Sequence, residues 1–461
     1  MQAVKYRYMK EYYKRLINLI AIAIAVLFET VSFGYVWYAQ YAPALYEHSQ
    51  RFFYRRGNWA LIGLYVLVLV LLTDAFDGYK ITYMRLRDII LSHVPAIILA
   101  NIIGYIEVVL VGVFYISPKP LILLSLVQIV FIMLWAYCTR RTYVSLYPPR
   151  KLLLIYGKYP YEHIITKMNE RGNRYDVCEK ISVFEDMSEI EKLILKYRGA
   201  VLADLPDERR NTIIKFCSSN AIRVYVTPKI SDIMCRGAED IHLFDTPLFL
   251  IRNNGIALDK LIIKRLMDIA AALLGCIILS PLLILIALAV KLYDGGPVLY
   301  TQDRLTRDGV EFKMYKFRSM KVDAEKEGAR LAAKGDSRIT PVGSVIRRFH
   351  VDELPQLFNI LKGDMSLVGP RPERKQIADE YAETMPEFKL RLMVKAGLTG
   401  YAQVYGQYNT TPYDKLKLDL TYIANYSLLM DVKIILLTVK ILFVKENTEG
   451  VDADQKTALK R

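Results

Sequence analysis

Four long apolar runs dominate the first third of the chain. They cover residues 16–38, 59–72, 89–116 and 121–137, and the run at 59–72 is the shortest. A helix needs about 20 mostly apolar residues to cross the hydrocarbon of a bilayer, and most of these runs approach that length. The pattern therefore predicts a bundle of four transmembrane helices within residues 1–147.

Basic residues around these runs predict an orientation, because loops rich in Lys and Arg stay on the cytoplasmic side. The N-terminus, the loop at 80–87 and the exit at 140–151 are basic, whereas the turn at 117–120 carries a single lysine. Three arginines in the loop at 51–56 oppose this arrangement. The balance predicts that the N-terminus and the region after the fourth run both face the cytoplasm.

From residue 148 onward, short apolar runs alternate with amphipathic stretches. This pattern predicts strands and helices in turn, at 151–156, 161–171, 200–203, 207–218 and 222–226. Such alternation is typical of a small parallel α/β domain, which we assign to residues 148–255. Only Gly157 follows the first strand, so the glycine fingerprint of a dinucleotide site is missing. We interpret this Rossmann-like domain as structural or as an assembly domain.

A fifth apolar run, at 269–290, is interrupted by Ser280-Pro281. Proline removes an intrahelical hydrogen bond where lipid offers no replacement. Each half of the run has only about 11 residues, too few to cross hydrocarbon alone. Hydropathy leaves two alternatives, a kinked spanning helix and a re-entrant helix that returns to the same face. The basic, cysteine-poor remainder of the chain favours re-entry.

Composition narrows the function classes. With 461 residues, 53% of them hydrophobic, the chain is not a simple soluble enzyme. The formal net charge of +15 suits a partner with phosphate groups, but nucleic acid, anionic lipid and nucleotides all meet that description. Five scattered cysteines without CxxC spacing indicate neither a zinc site nor a disulfide framework.

Two adjacent acids, Asp352 and Glu353, are the strongest candidates for chemistry. Pro355 is tolerated only in a first helical turn, so a helix is predicted to begin near Asp352 and to end at Gly363. Adjacent helical residues point about 100° apart, so we assign the acids different roles. One would attack phosphorus, and the other would bind a metal or handle a proton. The alternative is a helix cap beside a solvated acid.

Phosphoryl transfer needs cations around the equatorial oxygens, and basic residues lie on both sides of the acids. Upstream, strand alternation would place Lys316 and Arg318 on one face. Downstream, the rigid Gly-Pro-Arg-Pro sequence at 369–372 presents Arg371, and Arg374 follows it. An exposed basic face on lipid headgroups is the alternative, and it explains the rigid backbone poorly.

Three motifs in this region resemble the signatures of the monotopic polyprenyl-phosphate hexose-1-phosphate transferases, which initiate bacterial capsule, exopolysaccharide or O-antigen assembly. They are YKFRSM at 315–320, DELPQL at 352–357 and KGDMSLVGPRP at 362–372. The similarity covers about residues 258–444. The N-terminal spans followed by an α/β domain are similar to the larger members of that family.

The resemblance implies a magnesium-dependent ping-pong reaction between a UDP-sugar and undecaprenyl phosphate. Asp352 would attack the β-phosphorus, release UMP and hold the sugar phosphate, and Glu353 would act as metal ligand or base. Both acids are the expected Mg²⁺ ligands. Lys316, Arg318 and Arg371 would contact phosphate, and we group Arg374 with them.

The resemblance also implies an α/β membrane protein whose mostly helical catalytic domain, residues 256–461, lies on the cytoplasmic face of the inner membrane. Its re-entrant helix would cover residues 260–293 and break at Ser280-Pro281. Membrane lipids are expected partners, nucleic acid is not, and a homodimer through the α/β domain is the expected assembly. The sequence before the acids departs from the family pattern, and we interpret His350 there as a packing residue.

Three alternatives remain. A membrane-anchored sugar-nucleotide dehydratase or epimerase also places spans before an α/β domain, but it needs the missing dinucleotide fingerprint. A processive glycosyltransferase needs an Asp-x-Asp motif in the α/β region, whereas the one at 452–454 lies in a polar tail. A non-catalytic membrane scaffold would not need the intact pair of Asp352 and Glu353.

Overall fold

The chain forms two compact units, Met1–Pro228 and Lys229–Arg461. The computed structural model describes residues 2–49, 55–112, 115–158, 161–170, 174–252, 255–322, 336, 338–406 and 410–441. The Asp-x-Asp motif at 452–454 lies outside these residues. The segment 229–255, which the predicted boundaries assign to the α/β domain, belongs to the second unit.

Long apolar helices build the first part of the first unit. They are α1 Gln2–Val36, α2 Ala42–Ser49, α3 Arg55–Ala75, α4 Leu86–Gly112 and α5 Lys119–Leu146. A π-helical turn, Trp37–Tyr41, joins α1 to α2 without interruption. By length and composition, five helical segments among the described residues can cross a membrane, and four of them precede residue 147.

Polar side chains meet inside this helical bundle. Gln128 Nε2 donates to Tyr65 Oη at 3.1 Å and to Ser32 Oγ at 3.2 Å, and Asn101 Nδ2 donates to Gln128 Oε1 at 2.9 Å. These four residues come from α5, α3, α1 and α4. Because lipid offers no partners, polar groups there must find them within the bundle. The network therefore specifies how the four helices pack.

A parallel four-stranded sheet completes the first unit. Its elements are β1 Arg150–Tyr156, α6 Glu162–Asn169, β2 Tyr175–Ser182, α7 Met187–Tyr197, β3 Gly199–Ala203, α8 Asp207–Ser219 and β4 Arg223–Val226, with strand order β2-β1-β3-β4. A Cβ at Gly157 would lie 2.2 Å from the carbonyl oxygen of Asp204. This glycine therefore serves a close backbone approach between the end of β1 and the residue after β3.

The second unit mixes helices with two-stranded sheets. It contains α9 Ile230–Arg236, β5 Glu239–Leu243, β6 Thr246–Leu250, α10 Leu258–Asp294, β7 Leu299–Leu305, β8 Glu311–Phe317, α11 Pro341–Arg348, α12 Gln356–Lys362, β9 Ser366–Val368, α13 Lys375–Thr384, β10 Gly397–Thr399, α14 Tyr401–Tyr405, α15 Pro412–Ala424 and α16 Leu428–Ile441. β5 and β6 pair antiparallel, as do β7 and β8, and β9 pairs parallel with β10. A main core lies among α9, α13, α15 and α16.

The helix α10 continues through Ser280-Pro281 for 37 residues in all. Pro281 has no N–H for the carbonyl of Ile277, four residues earlier. The hydroxyl of Ser280 donates to that same carbonyl at 2.8 Å. Helical structure is therefore kept at the predicted break, because the residue before the proline supplies the missing donor.

Both halves of α10 pack on the rest of the second unit. Before the proline, Ala272 lies in one core with Leu357, and Lys264 Nζ pairs with Asp431 Oδ2 at 2.7 Å. After the proline, Ile286 lies in a second core with Phe317. The remaining surface of α10 exposes large apolar side chains, including Leu273, Leu274, Ile277, Ile278, Ile284, Leu285 and Leu288.

Candidate active site

Asp352 and Glu353 lie in a tight connection between α11 and α12. His350 adopts a left-handed φ of 54° and turns the chain into a 3-10 segment that contains both acids. Pro355 then precedes α12, where its missing N–H is not needed. Gly363, with φ of 101°, ends α12 as predicted. The acids thus precede the helix instead of lying in its first turn.

Glu353 is held between two cations. Its Oε1 lies 2.7 Å from Lys316 Nζ and 2.7 Å from Arg371 Nη2, and its Oε2 accepts from Arg371 Nη1 at 3.3 Å. Burial acts to raise the pKa of Glu353, but the charges of Arg371 and Lys316 outweigh burial and hold the pKa far below its usual range. Glu353 is therefore an ionised, fully engaged carboxylate at neutral pH.

Asn359 brings Lys316 to this position by joining β8 to α12. The backbone N–H of Tyr315 donates to Asn359 Oδ1 at 3.0 Å, and Asn359 Nδ2 donates to the carbonyl of Lys313 at 2.8 Å. The amide is completely buried, so its hydrogen bonds have no competition from water. Sequence reasoning missed Asn359, although an amide among the apolar residues of LFNIL was the available signal.

Asp352 has different surroundings from its neighbour. Its side chain is half-buried, and within the described residues no hydrogen bond or ion pair engages its carboxylate. Burial raises the pKa of Asp352, and the negative charge of Glu353 raises it further, while Lys316 and Arg347 act in the opposite direction. Asp352 therefore offers an oxygen that is not already bound to a cation of the protein.

The acid pair lies beside the second half of α10. Val351 packs against the core that contains Ile286 and Val290 of that helix. The site is therefore next to the most apolar helix of the second unit.

Arg371 is carried by a closely packed loop between β9 and α13. The N–H of Gly369 donates to the carbonyl of Thr399 at 2.9 Å. A Cβ at Gly369 would lie 2.4 Å from the carbonyl oxygen of Lys395, so no larger residue fits there. The predicted rigidity of this loop thus has a structural basis in close contact with β10 and the residues before it.

Arg318, another predicted phosphate contact, has different partners. Arg318 follows the end of β8, so strand alternation does not place it beside Lys316. Its guanidinium pairs with Asp294 at the end of α10, and its Nε donates to the carbonyl of Pro297 at 2.7 Å. Arg374 is the residue immediately before α13, three positions after Arg371.

The interpretation of His350 as a packing residue is wrong. Its side chain is exposed, and its left-handed backbone forms the turn that leads into the acids. A residue other than glycine is uncommon at such a φ, and histidine is among those found there more often. The contribution of His350 to the fold is therefore made by its backbone.

A cavity of about 400 Å³ lies beside the Arg371 loop. Its walls include Arg371, Thr306, Lys375, Phe388 and Arg391. This volume is in the range of small-molecule pockets. The cavity provides space for a ligand next to one of the two cations that hold Glu353.

The described residues contain no group of three or more His, Cys, Asp and Glu side chains arranged around a metal position. Mg²⁺ is commonly bound by one or two carboxylates together with substrate phosphates and water. The unengaged oxygens of Asp352 fit a magnesium ion that substrate phosphates complete, whereas both oxygens of Glu353 are already held by Lys316 and Arg371.

Comparisons with known proteins point to one group. The family profile described as "Bacterial sugar transferase" matches residues 259–445. The chain is 39% identical over 248 residues to a UDP-N-acetylgalactosamine-undecaprenyl-phosphate N-acetylgalactosaminephosphotransferase of Aeromonas hydrophila, covering 52% of this chain and 58% of that protein. It is 40% identical over 208 residues to the UDP-glucose:undecaprenyl-phosphate glucose-1-phosphate transferase of Escherichia coli K12, covering 44% and 43%.

A shorter relative is matched over most of its length. The chain is 51% identical over 132 residues to a putative undecaprenyl-phosphate N-acetylgalactosaminyl 1-phosphate transferase of Bacillus subtilis, covering 29% of this chain and 74% of that protein. By contrast, the chain spans about half the length of the longer curated relatives that it matches.

Proposed function

The chain belongs to the bacterial sugar transferase family, and we propose that it transfers a hexose 1-phosphate from a UDP-sugar to undecaprenyl phosphate, releasing UMP. This reaction would initiate synthesis of a capsule, exopolysaccharide or O-antigen. The relatives named above act on undecaprenyl phosphate by name, and this supports the same acceptor here.

One observation carries the proposal. Two adjacent carboxylates differ in their partners, since Glu353 is neutralised by Lys316 and Arg371 while Asp352 is not engaged by a described side chain. A nucleophile needs a free oxygen, and a phosphoryl group needs fixed cations nearby. The free oxygen is on Asp352, and the fixed cations are held at the adjacent Glu353.

In the first half-reaction an oxygen of Asp352 forms a bond to the β-phosphorus of the UDP-sugar. The bond between that phosphorus and the bridging oxygen breaks, and UMP leaves with the oxygen and its electron pair. The sugar phosphate remains on Asp352 as an acyl phosphate. Arg371 and Lys316 stabilise the negative charge on the transferred group.

In the second half-reaction a phosphate oxygen of undecaprenyl phosphate attacks the same phosphorus. The bond to Asp352 breaks, the carboxylate is restored, and the lipid diphosphate sugar leaves. Glu353 keeps both cations in place through these steps. Magnesium bound by Asp352 and substrate phosphates would supply additional positive charge against the diphosphate, while Glu353, the other expected ligand, is occupied by the two cations.

The acceptor is a lipid, and the position of the site beside α10 suits it. We propose that α10 is re-entrant, because residues on both sides of Pro281 pack on the same unit. A straight span would place the two ends on opposite faces of the membrane. The site would then lie at the cytoplasmic surface of the inner membrane, where a lipid phosphate meets a soluble nucleotide sugar.

Cysteine labelling tests this topology. In a variant without native cysteines, single cysteines replace Lys260 and Lys291 near the two ends of α10. A re-entrant helix makes both positions react from the cytoplasmic side with an impermeant maleimide. Labelling of the two positions from opposite faces would show that α10 spans.

The other candidate functions have less support. A dehydratase or epimerase needs a dinucleotide site, and Gly157 is used for packing against Asp204. A scaffold would not require the arrangement around Asp352 and Glu353. A homodimer through the α/β domain stays a prediction, which crosslinking of the full chain and of a deletion of residues 150–250 would test.

Turnover decides the proposed function. Protein in nanodiscs is incubated with magnesium, undecaprenyl phosphate and a panel of UDP-sugars, and released UMP is measured for wild type and Asp352→Asn. We expect UMP release that Asp352→Asn reduces at least about 1,000-fold, because the nucleophile is lost. Absence of UMP with every donor, or equal release by the variant, would contradict the proposal.

A further inference from the structure

Every backbone carbonyl from Pro370 to Glu373 accepts a hydrogen bond. The donors, in order along the chain, are Gly397 N at 2.9 Å, Arg391 Nη2 at 2.9 Å, Arg304 Nη1 at 3.2 Å and Leu305 N at 3.0 Å. The first and last bonds are backbone contacts with neighbouring segments. The two central ones, to Arg371 and Pro372, come from arginine side chains of distant elements.

Arg391 lies in a 3-10 segment, Pro386–Met393, and is only 3% exposed. Its Nη2 donates to the carbonyl of Arg371 and also lies 2.8 Å from Asp419 Oδ2, and its Nε donates to the same Asp419 oxygen at 3.0 Å. One guanidinium thus joins α15 to the backbone of the residue that holds Glu353.

Burying a guanidinium is costly unless its charge is compensated. Asp419 is 1% exposed and faces Arg391 directly. Glu373 pairs with Lys415 and lies 3.6 Å from Arg391 Nη1 and 3.9 Å from Arg304 Nη1. The cluster therefore contains three cations and two carboxylates below the loop, where an apolar core would be the less costly solution.

We propose that Arg391 is a positioning residue for the transfer reaction. Its hydrogen bond fixes the carbonyl of Arg371, whose guanidinium at the other end of the residue lies against Glu353. A displacement of about 1 Å at a phosphate-binding group costs on the order of 100-fold in rate. The proposal rests on the proposed function. It gives the buried guanidinium of Arg391 a role in the reaction although Arg391 does not contact Asp352 or Glu353.

Arg391→Lys is the informative substitution, because it keeps the positive charge next to Asp419. A lysine side chain has a single ammonium nitrogen instead of a planar guanidinium with several donors. It therefore cannot bind both Asp419 and the carbonyl of Arg371 in the same geometry. We expect kcat/KM for the UDP-sugar to fall about 10- to 100-fold, with KM for undecaprenyl phosphate unchanged. Asp431→Asn is the control for loss of a buried ion pair, since Asp431 pairs with Lys264 and makes no contact with the carbonyls of residues 370–373.

A double-mutant cycle separates positioning from stability. If Arg391 acts through Arg371, then adding Arg391→Lys to Arg371→Ala produces no further loss of kcat/KM. Loss of folding alone lowers the melting temperature and the active fraction in both backgrounds equally, as expected for Asp431→Asn. If wild type is active, additive losses in the double variant, or unchanged kcat/KM in Arg391→Lys, overturn this inference alone. Absence of UMP release by wild type overturns the proposed function instead.

Discussion

Arg371 lies 18 positions after Glu353 in the chain, and its Nη2 is 2.7 Å from Glu353 Oε1. Lys316 reaches the same oxygen from the other side at 2.7 Å. Because these two cations engage Glu353, the adjacent Asp352 is left with oxygens that no described side chain binds. Two neighbouring acids with the same chemistry thus have different surroundings, and the predictions below start from this difference.

Replacing Arg371 by lysine should lower kcat/KM for the UDP-sugar by about 10- to 100-fold. Lysine keeps the charge but loses the two-point contact with Glu353. The measurement is steady-state UMP release at fixed undecaprenyl phosphate. Arg318→Lys serves for comparison, because Arg318 pairs with Asp294; it should lower the melting temperature more than the rate per folded molecule. Equal rate losses in both variants would contradict a catalytic role for Arg371 and a structural role for Arg318.

The pH dependence of UMP release should report Asp352. Asp352 attacks only as a carboxylate, so the rate falls as the pH drops through its pKa. Burial and the charge of Glu353 raise that pKa, so the acid limb should lie above the value of an ordinary aspartate, about 3.9. In Glu353→Gln the residual activity should show a limb at lower pH, because one cause of the raised pKa is gone. A limb that stays in place or moves upward would contradict this assignment.

Asn359→Leu should destabilise the second unit by about 2 kcal/mol. The substitution removes a buried amide and leaves the part-buried N–H of Tyr315 and carbonyl of Lys313 without their partner. Denaturant unfolding in detergent, monitored by far-UV circular dichroism, measures the loss of unfolding free energy. Phe358→Leu is the control on the same helix, because Phe358 is exposed. Similar losses in the two variants would show that Asn359 has no special role in joining β8 to α12.

Glu373→Gln should destabilise the protein by about 3 kcal/mol at pH 7. Burial acts to raise the pKa of Glu373, but Lys415 and Arg391 outweigh burial and bring it to about 2. A lowered pKa in the folded state contributes stability above the unfolded value of 4.5, and that contribution is lost as the pH falls toward 2. The difference between wild type and variant should therefore shrink between pH 4.5 and 3 in denaturant unfolding. A constant difference over that range would mean that the ion pairs do not cause it.

Much of the fold follows from the sequence pattern, and the exceptions have a physical cause. The strands at 150–156, 199–203 and 223–226 are apolar on both faces or nearly so, and the pattern predicts them. β2 was missed because its polar and apolar residues alternate without a continuous apolar run, and only Ile181 is buried. α7, which follows it, was also missed, although Ile190 and Ile194 lie at helical spacing on its buried side.

The site shows a similar division. The order of the motifs identifies Asp352, Glu353, Lys316 and Arg371, and the structure brings these four together. It does not bring Arg318 to them, because local alternation cannot show that a strand ends one residue earlier. Contacts between distant segments, such as Arg391 with the carbonyl of Arg371, leave no local pattern in the sequence. They become visible only when the chain is folded.

In the membrane position proposed for α10, the hydrogen bond from the Ser280 hydroxyl to the carbonyl of Ile277 has a consequence for the lipid around the helix. A bare carbonyl at bilayer depth would draw water among the acyl chains, since nothing else there can donate to it. Because Ser280 donates to this carbonyl, α10 would present a continuous apolar surface to the lipid, even at a proline. Threonine at position 280 would keep a hydroxyl donor for this carbonyl, whereas alanine would leave the carbonyl without a donor and open to water.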